Sequence, residues 1–276
     1  MPAEMTSLAS PGTGSSLVET MPVGRRKLKR RLPIQRKWPM WAIVATQIGL
    51  VVGLLAAWEI AAETGRLDAF FWSRPSAIAA TLVIFFTEGD AFTDIGFTFR
   101  STILGFVIGT VVGSLLGLSF WWSRNYALIM QPFIICLESI PKLALAPLII
   151  LVFGIGLASK VAIATALTLV VSTLTAYSAV QALDRDQEKL SYSLGASRWQ
   201  VFSKLVVPHS IPWIISILRV NIGLALTGSI VGEFVSSQHG LGRTILYAGS
   251  TYEIALVWGA ELVITVISII MNAAVS

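Results

Sequence analysis

The most regular feature of the chain is a series of apolar segments, each about as long as a membrane span. A helix needs roughly 20 apolar residues to cross the hydrocarbon core of a bilayer. We predict six transmembrane helices, at residues 41–60, 97–120, 127–153, 161–181, 214–234 and 254–275. The pattern therefore predicts an all-α polytopic membrane protein.

One long polar segment, residues 182–212, lies between the fourth and fifth spans. It holds a helix-forming stretch, a Gly-Ala-Ser break that begins at Gly195, and an amphipathic stretch. We predict that this second stretch ends at Pro208 and Pro212, because proline cannot continue a helix without losing a backbone donor.

Apolar residues recur at helical spacing in the second half of this segment, at Trp199, Phe202, Leu205 and Val206. Such a helix suits either the groove of a partner protein or the surface of the membrane. The residues alone do not separate these two interpretations. We predict that Arg198 and Lys204 contact acidic groups of such a partner protein.

The third span contains Pro132, Pro141 and Pro147, and also the charged residues Glu138 and Lys142. Three prolines cannot lie in one straight helix, so we predict a broken helix, which is tolerated at membrane depth where it lines a cavity or is covered by protein. The two charges indicate either a functional site, a structural pair four residues apart, or a position near the headgroups.

The second span carries glycines at every fourth position, which puts them on one helix face. They are Gly105, Gly109, Gly113 and Gly117. We expect them to let a neighbouring helix approach closely. This pattern predicts helix packing and says nothing about a substrate.

Composition supports a membrane protein, since 55% of the 276 residues are hydrophobic and only 13% are charged. A soluble domain has about 25% charged residues. With two histidines and a lone Cys136, interpreted as core filling, the chain has no candidate zinc or haem site. It also lacks a phosphate-binding Gly-rich loop, so we expect no ATP hydrolysis, no cofactor and no enzyme activity in this chain.

Basic residues are unevenly placed. The stretch 25–37 holds eight Lys and Arg and no acid, a pattern found in nucleic-acid-binding arms and also on the cytoplasmic side of a first span. An apolar helix follows directly, so we predict a cytoplasmic N-terminus and no nucleic-acid partner. With six spans, the predicted inside segments hold thirteen Lys and Arg against four outside.

The segment 61–94 is predicted to lie outside. It carries an interfacial helix at residues 77–86, preceded by the capping sequence Ser73-Arg-Pro-Ser76. Residues 154–160 and 236–253 are predicted as an outer turn and an outer loop. We divide the chain into a disordered basic N-terminus at 1–37, a first helix with an interfacial segment at 38–93, and a transmembrane domain at 94–276.

From about Asp94 onward the chain resembles the permease subunit of a type I ABC importer, of the branch that serves nitrate, sulfonates and taurine. Its coupling loop has a glycine followed at fixed spacing by Leu205, Val207 and Pro208, and here that glycine is Gly195. Further matching stretches are Pro141-Lys-Leu-Ala-Leu-Ala-Pro-Leu148, Phe153-Gly-Ile-Gly156 with Ser159-Lys160, and Gly232-Glu233 with Gly240-Leu-Gly242.

The resemblance implies that residues 182–212 contact a cytoplasmic ATP-binding subunit. The coupling residues it implies are Glu188, Leu194, Gly195, Ala196, Ser197, Arg198, Trp199, Phe202, Leu205 and Pro208. It also implies a second copy of the chain, an extracytoplasmic solute-binding protein, surrounding lipid, and a place in a bacterial inner membrane. The acidic position of the family pattern holds Lys189 here, with Glu188 displaced by one.

We predict that the translocation pathway involves the third and fifth spans. The candidates are Glu138, Pro141, Lys142, Arg219 and Glu233. Arg219 is equally placed to lie near the inner headgroups.

The cargo is predicted to be a small anion, with a thiamine precursor or an aromatic acid as alternatives. A self-contained secondary carrier is a further alternative, but it predicts internal repeats and paired intramembrane acids, whereas Glu138, Glu233 and Glu261 are scattered.

Overall fold

The computed structural model describes residues 38–275, so the basic stretch 25–37 and the rest of the predicted disordered segment 1–37 lie outside the described residues. Twelve helices are found there and no strand. They are α1 (Met40–Glu63), α2 (Ala69–Trp72), α3 (Pro75–Thr87), α4 (Ala91–Ser119), α5 (Arg124–Ser139), α6 (Ala146–Phe153), α7 (Leu157–Gln181), α8 (Arg185–Ser193), α9 (Arg198–Val201), α10 (Val207–Val235), α11 (Leu241–Ser250) and α12 (Ile254–Val275). The predicted all-α membrane fold is confirmed.

Five helical segments are long and apolar enough to cross a membrane: α1, α4 with the turn that follows it, α7, the run Arg198–Val235, and α12. The third predicted span is broken, because α5 and the segment Lys142–Phe153 meet at an angle of 78°. By length and composition, the described residues therefore provide five candidate spans, or six where the bent pair counts as one.

Helices α4, α7 and α10 pack together at the centre of residues 50–276, which form one of the two compact units of the chain. Four of the five glycines of α4, those at every fourth position from Gly105 to Gly117, face α7. A Cβ atom on Gly113 would lie 2.8 Å from the Cβ of Ser172, and one on Gly117 would lie 2.7 Å from the Cβ of Ala176. Gly228 brings α10 equally close to α7, since its Cβ would lie 2.9 Å from the Cα of Ala164.

Helix α10 has 29 residues, so it is about 43 Å long at 1.5 Å per residue. Its start adjoins residues 182–206, and we call that side of the bundle the loop end. Its last residue is followed by the turn 236–240, and we call that side the turn end. Helices α3, α11 and α12 pack on one another or on α10.

The predicted stop at Pro208 and Pro212 is wrong. A single helical run extends from Arg198 to Val235, with a π-helical turn at Phe202–Val206. Pro208 lies in the first turn of α10, and Pro212 lies inside α10. Pro208, whose backbone oxygen loses its intrahelical donor because residue 212 is proline, is exposed, as is Pro212 itself.

The predicted serine cap of the interfacial helix is also wrong. The residue before α3 is Arg74, whose side chain makes no capping bond. Ser73 is buried at a positive φ of 56°. Ser76 instead donates its backbone N–H and its hydroxyl to the carboxylate of Glu59, at 2.9 and 2.6 Å. That carboxylate therefore lies at the N-terminus of α3, where the helix dipole favours a negative charge.

Two expectations for α5 and its surroundings need correction. Cys136 is exposed rather than core filling. Glu138 and Lys142 form no ion pair, because the helix ends between them at Ser139; Lys142 Nζ instead donates to the backbone oxygen of Glu138 at 3.0 Å.

The predicted outer loop 236–253 contains a helix, α11, whose buried residues include Leu241 and Ala248.

Candidate functional site

The turn within the polar segment is built by its local sequence. Asp184 caps α8 by accepting the backbone N–H of Asp186 at 2.9 Å. The chain then turns at Gly195, whose φ is +82°. A Cβ at Gly195 would meet no described atom within 4 Å. Glycine is therefore favoured here by the backbone conformation and not by a close neighbour within this chain.

The second short helix begins with a capping box. The hydroxyl of Ser197 accepts the backbone N–H of Gln200 at 3.3 Å, and the Gln200 side chain accepts the N–H of Ser197 at 2.7 Å. This reciprocal pair satisfies two donors that a helix start leaves free. The geometry of α8, turn and α9 is thus set within residues 184–200.

This helix pair presents four large side chains to solvent. Leu190, Tyr192, Leu194 and Trp199 are 60%, 41%, 79% and 62% exposed. We call these four residues the apolar face. A cavity of about 440 Å³ lies beside it, lined in part by Leu194, Ala196 and Lys204. Exposed apolar residues clustered on a polar segment typically mark a protein or membrane contact.

The apolar face is attached to the bundle by an arginine and three aromatic rings. The Arg198 guanidinium donates to the backbone oxygen of Trp122 and lies over the rings of Trp121 and Trp122, 5.7 and 5.4 Å from their centroids. The Trp122 and Trp199 rings stack with 6.1 Å between centroids. Arg198 is thus engaged within its own chain and does not project freely toward a partner.

The expectation that Phe202, Leu205 and Val206 point outward as partner anchors is wrong. Val206 is fully buried, and Phe202 and Leu205 are half-buried against the core cluster it belongs to. These side chains hold the loop to the bundle. Leu194 and Trp199 remain available for a partner.

A second group of polar residues is buried at the turn end. Both oxygens of Asp94 on α4 accept hydrogen bonds from the start of α11. Oδ1 accepts the backbone N–H of Gly240 at 2.8 Å, and Oδ2 accepts the hydroxyl of Thr244 at 2.6 Å. His239, which is half exposed, has its Nδ1 3.9 Å from Oδ1.

Glu233, near the end of α10, is 1% exposed and contacts the same turn. Its Oε2 accepts the N–H of Gly242 at 2.8 Å and the hydroxyl of Thr98 at 3.0 Å, and Oε1 accepts Ser229 at 3.3 Å. Thr98 in turn accepts the N–H of Leu241 at 3.0 Å. A Cβ at Gly240 would overlap the carboxylate, so this glycine is needed for the contact.

Lys160, at the start of α7, is fully buried beside this group. Its ammonium donates to the backbone oxygen of Ile155 at 2.6 Å, to the hydroxyl of Ser159 at 3.3 Å, and to the backbone oxygen of Ser236. It therefore joins the turn before α7 to the turn after α10. We call Asp94, Lys160 and Glu233 the buried charge cluster.

The sequence assigns no role to two of these three residues: Asp94 falls in a predicted outer segment, and Lys160 falls in a predicted outer turn, although Ser159-Lys160 is one of the stretches that carry the resemblance. The Gly240-Leu-Gly242 turn that follows Glu233 is the signal that links them. Two glycines so close together indicate a backbone that another group approaches closely.

The predicted pathway residues do not form one site. Glu138, Pro141 and Lys142 lie together at the break after α5. Arg219 is exposed on α10, and Glu233 is buried fourteen residues further along the same helix, a distance of about 21 Å. Within the described residues, no group of three His, Cys, Asp or Glu is suited to a metal ion.

Residues 105–276, more than half of the chain, match the family described as binding-protein-dependent transport system inner membrane component. The chain is 33% identical over 190 residues to the formylaminopyrimidine transport permease ThiX of Halalkalibacterium halodurans, which covers 68% of this chain and 75% of that protein. It is 24% identical over 241 residues to the taurine transport permease TauC of Escherichia coli K12, covering 86% and 88%.

A solved structure of the MetNI methionine ABC transporter, in inward-facing conformations, has the same fold. The TM-score is 0.58 with 17% sequence identity, covering 67% of this chain and 92% of that one. The resemblance predicted from the coupling segment is confirmed by these comparisons. The chain belongs to the family of inner-membrane components of binding-protein-dependent transport systems, and it is a multi-pass permease subunit of an ABC importer.

Proposed function

We propose that two copies of this chain form the membrane pathway of an ATP-driven uptake system, and that a cytoplasmic ATP-binding subunit docks on the apolar face. The observation that carries this proposal is the exposure of Leu194 and Trp199 on a segment whose base is held by Arg198 and the tryptophan rings. A contact that transmits force needs exposed anchors on a firm support. The solute-binding protein then meets the opposite, turn end.

The placement of basic residues supports a cytoplasmic loop end. The four Lys and Arg of residues 182–212 and Arg124 lie there. In the sequence, the stretch 25–37 directly before the first apolar helix holds eight more. Positive residues concentrate on the cytoplasmic side of membrane proteins. In this orientation the N-terminus is cytoplasmic.

The cargo we propose is a small anion of the sulfonate or taurine type. Three basic side chains lie within or between the apolar helices, at Arg100, Lys142 and Arg219, and none has an acidic partner among residues 38–275. Unpaired positive charge at membrane depth is costly and typical of a pathway for anions. The likeness to the taurine permease supports the same class. The higher identity to the formylaminopyrimidine permease makes a small heterocyclic solute the second candidate.

Leu194→Asp tests the docking surface. We expect it to weaken association with the cognate ATP-binding subunit by roughly tenfold or more, because a buried anchor contributes about 2 kcal/mol or more to such an interface. Leu246→Asp on α11 is the matched control, since Leu246 is 53% exposed at the turn end. The affinity is measured by surface plasmon resonance on the full chain in nanodiscs. Normal binding by the Leu194 variant refutes this docking surface.

Uptake into proteoliposomes that contain the ATP-binding subunit and the cognate binding protein tests the cargo. Radiolabelled taurine and a radiolabelled formylated aminopyrimidine are supplied in separate assays, and the one that is taken up identifies the class of cargo. We expect Lys142→Ala to slow anion uptake without abolishing stimulated ATP hydrolysis. Unchanged uptake in the Lys142 variant removes this residue from the pathway.

A further inference from the structure

A second, larger cavity lies at the loop end, behind the helix pair that carries the apolar face. Its volume is about 540 Å³, within the range of small-molecule sites. It is enclosed by the turn that follows α4, the first half of α5, the end of α7 and the start of α8. No residue of the apolar face or of the buried charge cluster lines this cavity. Glu188, one of the predicted coupling residues, does.

Two arginines line this cavity from different helices. Arg124 is the first residue of α5, and Arg185 is the first residue of α8. Both arginines are exposed, and neither makes a hydrogen bond or an ion pair through its side chain with any described residue; the same holds for the side-chain amides of Gln131 and Gln181 on the cavity wall. Glu188 is the acidic residue that lines the cavity, so its lining carries a net charge of +1.

The rest of the wall is aromatic and apolar. Phe120 is 4% exposed, and its ring meets that of Tyr177 edge to face with 5.1 Å between centroids. Phe120 also lines a narrow apolar crevice of about 100 Å³ that continues between α4, α5 and α7, past Met130 and Ile134. The polar cavity thus opens beside a strip of apolar surface that follows the helices.

We propose that this cavity binds a tetrahedral oxyanion, a phosphate ester or a sulfonate, between Arg124 and Arg185. A guanidinium is planar and offers a fork of N–H donors that matches such oxygens, so two unpaired arginines form a complementary site for one anion. The two glutamine amides supply further neutral donors.

Two sources supply this chemistry. An anionic phospholipid places its phosphate in the cavity and an acyl chain along the apolar crevice, and the proposed orientation puts the loop end at the anionic cytoplasmic leaflet. A free sulfonate places its charged group between the arginines and its organic part against Phe120 and Tyr177. The site itself does not depend on which solute the importer carries.

The test uses the full chain in two arms. In the first, native mass spectrometry follows phosphatidylglycerol and phosphatidylcholine retained from a mixed bilayer. In the second, isothermal titration measures taurine binding to the chain in nanodiscs of phosphatidylcholine alone. The variants are Arg124→Gln with Arg185→Gln together, and Arg243→Gln on α11 as the control, since Arg243 is an exposed arginine at the turn end.

We expect the wild type to bind one of the two probes, and the double variant to lose roughly tenfold or more of that affinity, since charge-assisted bonds are lost. Preferential retention of phosphatidylglycerol identifies the lipid, and taurine binding identifies the solute. The Arg243 variant behaves as wild type, and circular dichroism confirms the fold of every variant.

The proposal is overturned if the wild type binds neither probe, or if the double variant binds as well as the wild type. Leu194→Asp separates this site from the docking surface. That variant keeps the anion site while losing the ATP-binding subunit, so failure of one proposal leaves the other standing.

Discussion

Gly240→Ala offers the sharpest test of the buried charge cluster. The backbone of Gly240 has φ +117° and ψ 153°, a region that side chains other than glycine rarely adopt. A Cβ there would also lie 2.8 Å from Oε1 of Glu233 and closer still to the carboxylate carbon. The substitution therefore combines backbone strain with displacement of the carboxylate that accepts the N–H of Gly242.

The chain contains a matched control for the strain alone. Gly154 has φ +81° and ψ −179°, and a Cβ there would meet no described atom within 4 Å. We expect Gly154→Ala to cost about 1–3 kcal/mol from strain. Gly240→Ala adds about 1–3 kcal/mol for the buried N–H of Gly242 that loses its acceptor.

The assay is the temperature at which the detergent-purified chain loses its monodisperse peak in size-exclusion chromatography. We expect Gly240→Ala to lower this temperature about twice as far as Gly154→Ala. In a Glu233→Ala background there is no carboxylate for the new Cβ to overlap, so Gly240→Ala should cost only its backbone strain. The interaction energy between the two substitutions in a double-mutant cycle should therefore be about 1–3 kcal/mol. Additive effects, or equal losses for the two glycine variants, would refute the reasoning.

Three further predictions concern the central helices and the loop. Gly113→Ala, whose Cβ would lie 2.8 Å from the Ser172 side chain, should cost about 1–3 kcal/mol in the same thermal assay; Gly96→Ala, with no described atom within 4 Å of its Cβ, should gain up to about 1 kcal/mol from helix propensity. Arg198→Gln removes the bond to Trp122 and the cation–π contacts, so limited proteolysis within residues 182–206 should be roughly tenfold faster, and an unchanged rate would show that the arginine does not hold the loop. Asn221→Leu removes two bonds, to hydroxyls on α4 and α7 at 3.0 and 2.7 Å; at about 0.6 kcal/mol for each interhelical bond it should cost about 1 kcal/mol, and a more stable variant would contradict the role of this side chain as a link between helices.

Features that depend on a residue's own chemistry are predictable from the sequence of this protein. The glycines of α4 indicate close helix packing whatever the partner helix is, and the prolines of the third span predict a break. Gly195 predicts a turn, because its freedom is a property of its backbone.

Features that depend on neighbours are not predictable in this way. Pro212 lies inside a helix although proline disfavours that position, and only the tertiary structure shows this. Phe202 and Val206 have the spacing of partner anchors, yet they pack on Trp121 and Leu118 of another helix. The partners of Asp94 lie some 146 and 150 residues away in sequence, a distance at which no local pattern connects them.

The continuous helical run from Arg198 to Val235 connects the loop end of the bundle to the turn end. At about 1.5 Å per residue, its 38 residues extend roughly 57 Å, from the exposed Trp199 to the carboxylate of Glu233 and the turn it holds. In the proposed complex, a displacement of Trp199 by the docked ATP-binding subunit would reach the far end through continuous helix, without crossing a flexible linker. The π-helical turn at Phe202–Val206 and Pro212 are the points at which such a helix would bend, so the stiffness of the helix there would set how much of that displacement reaches Glu233.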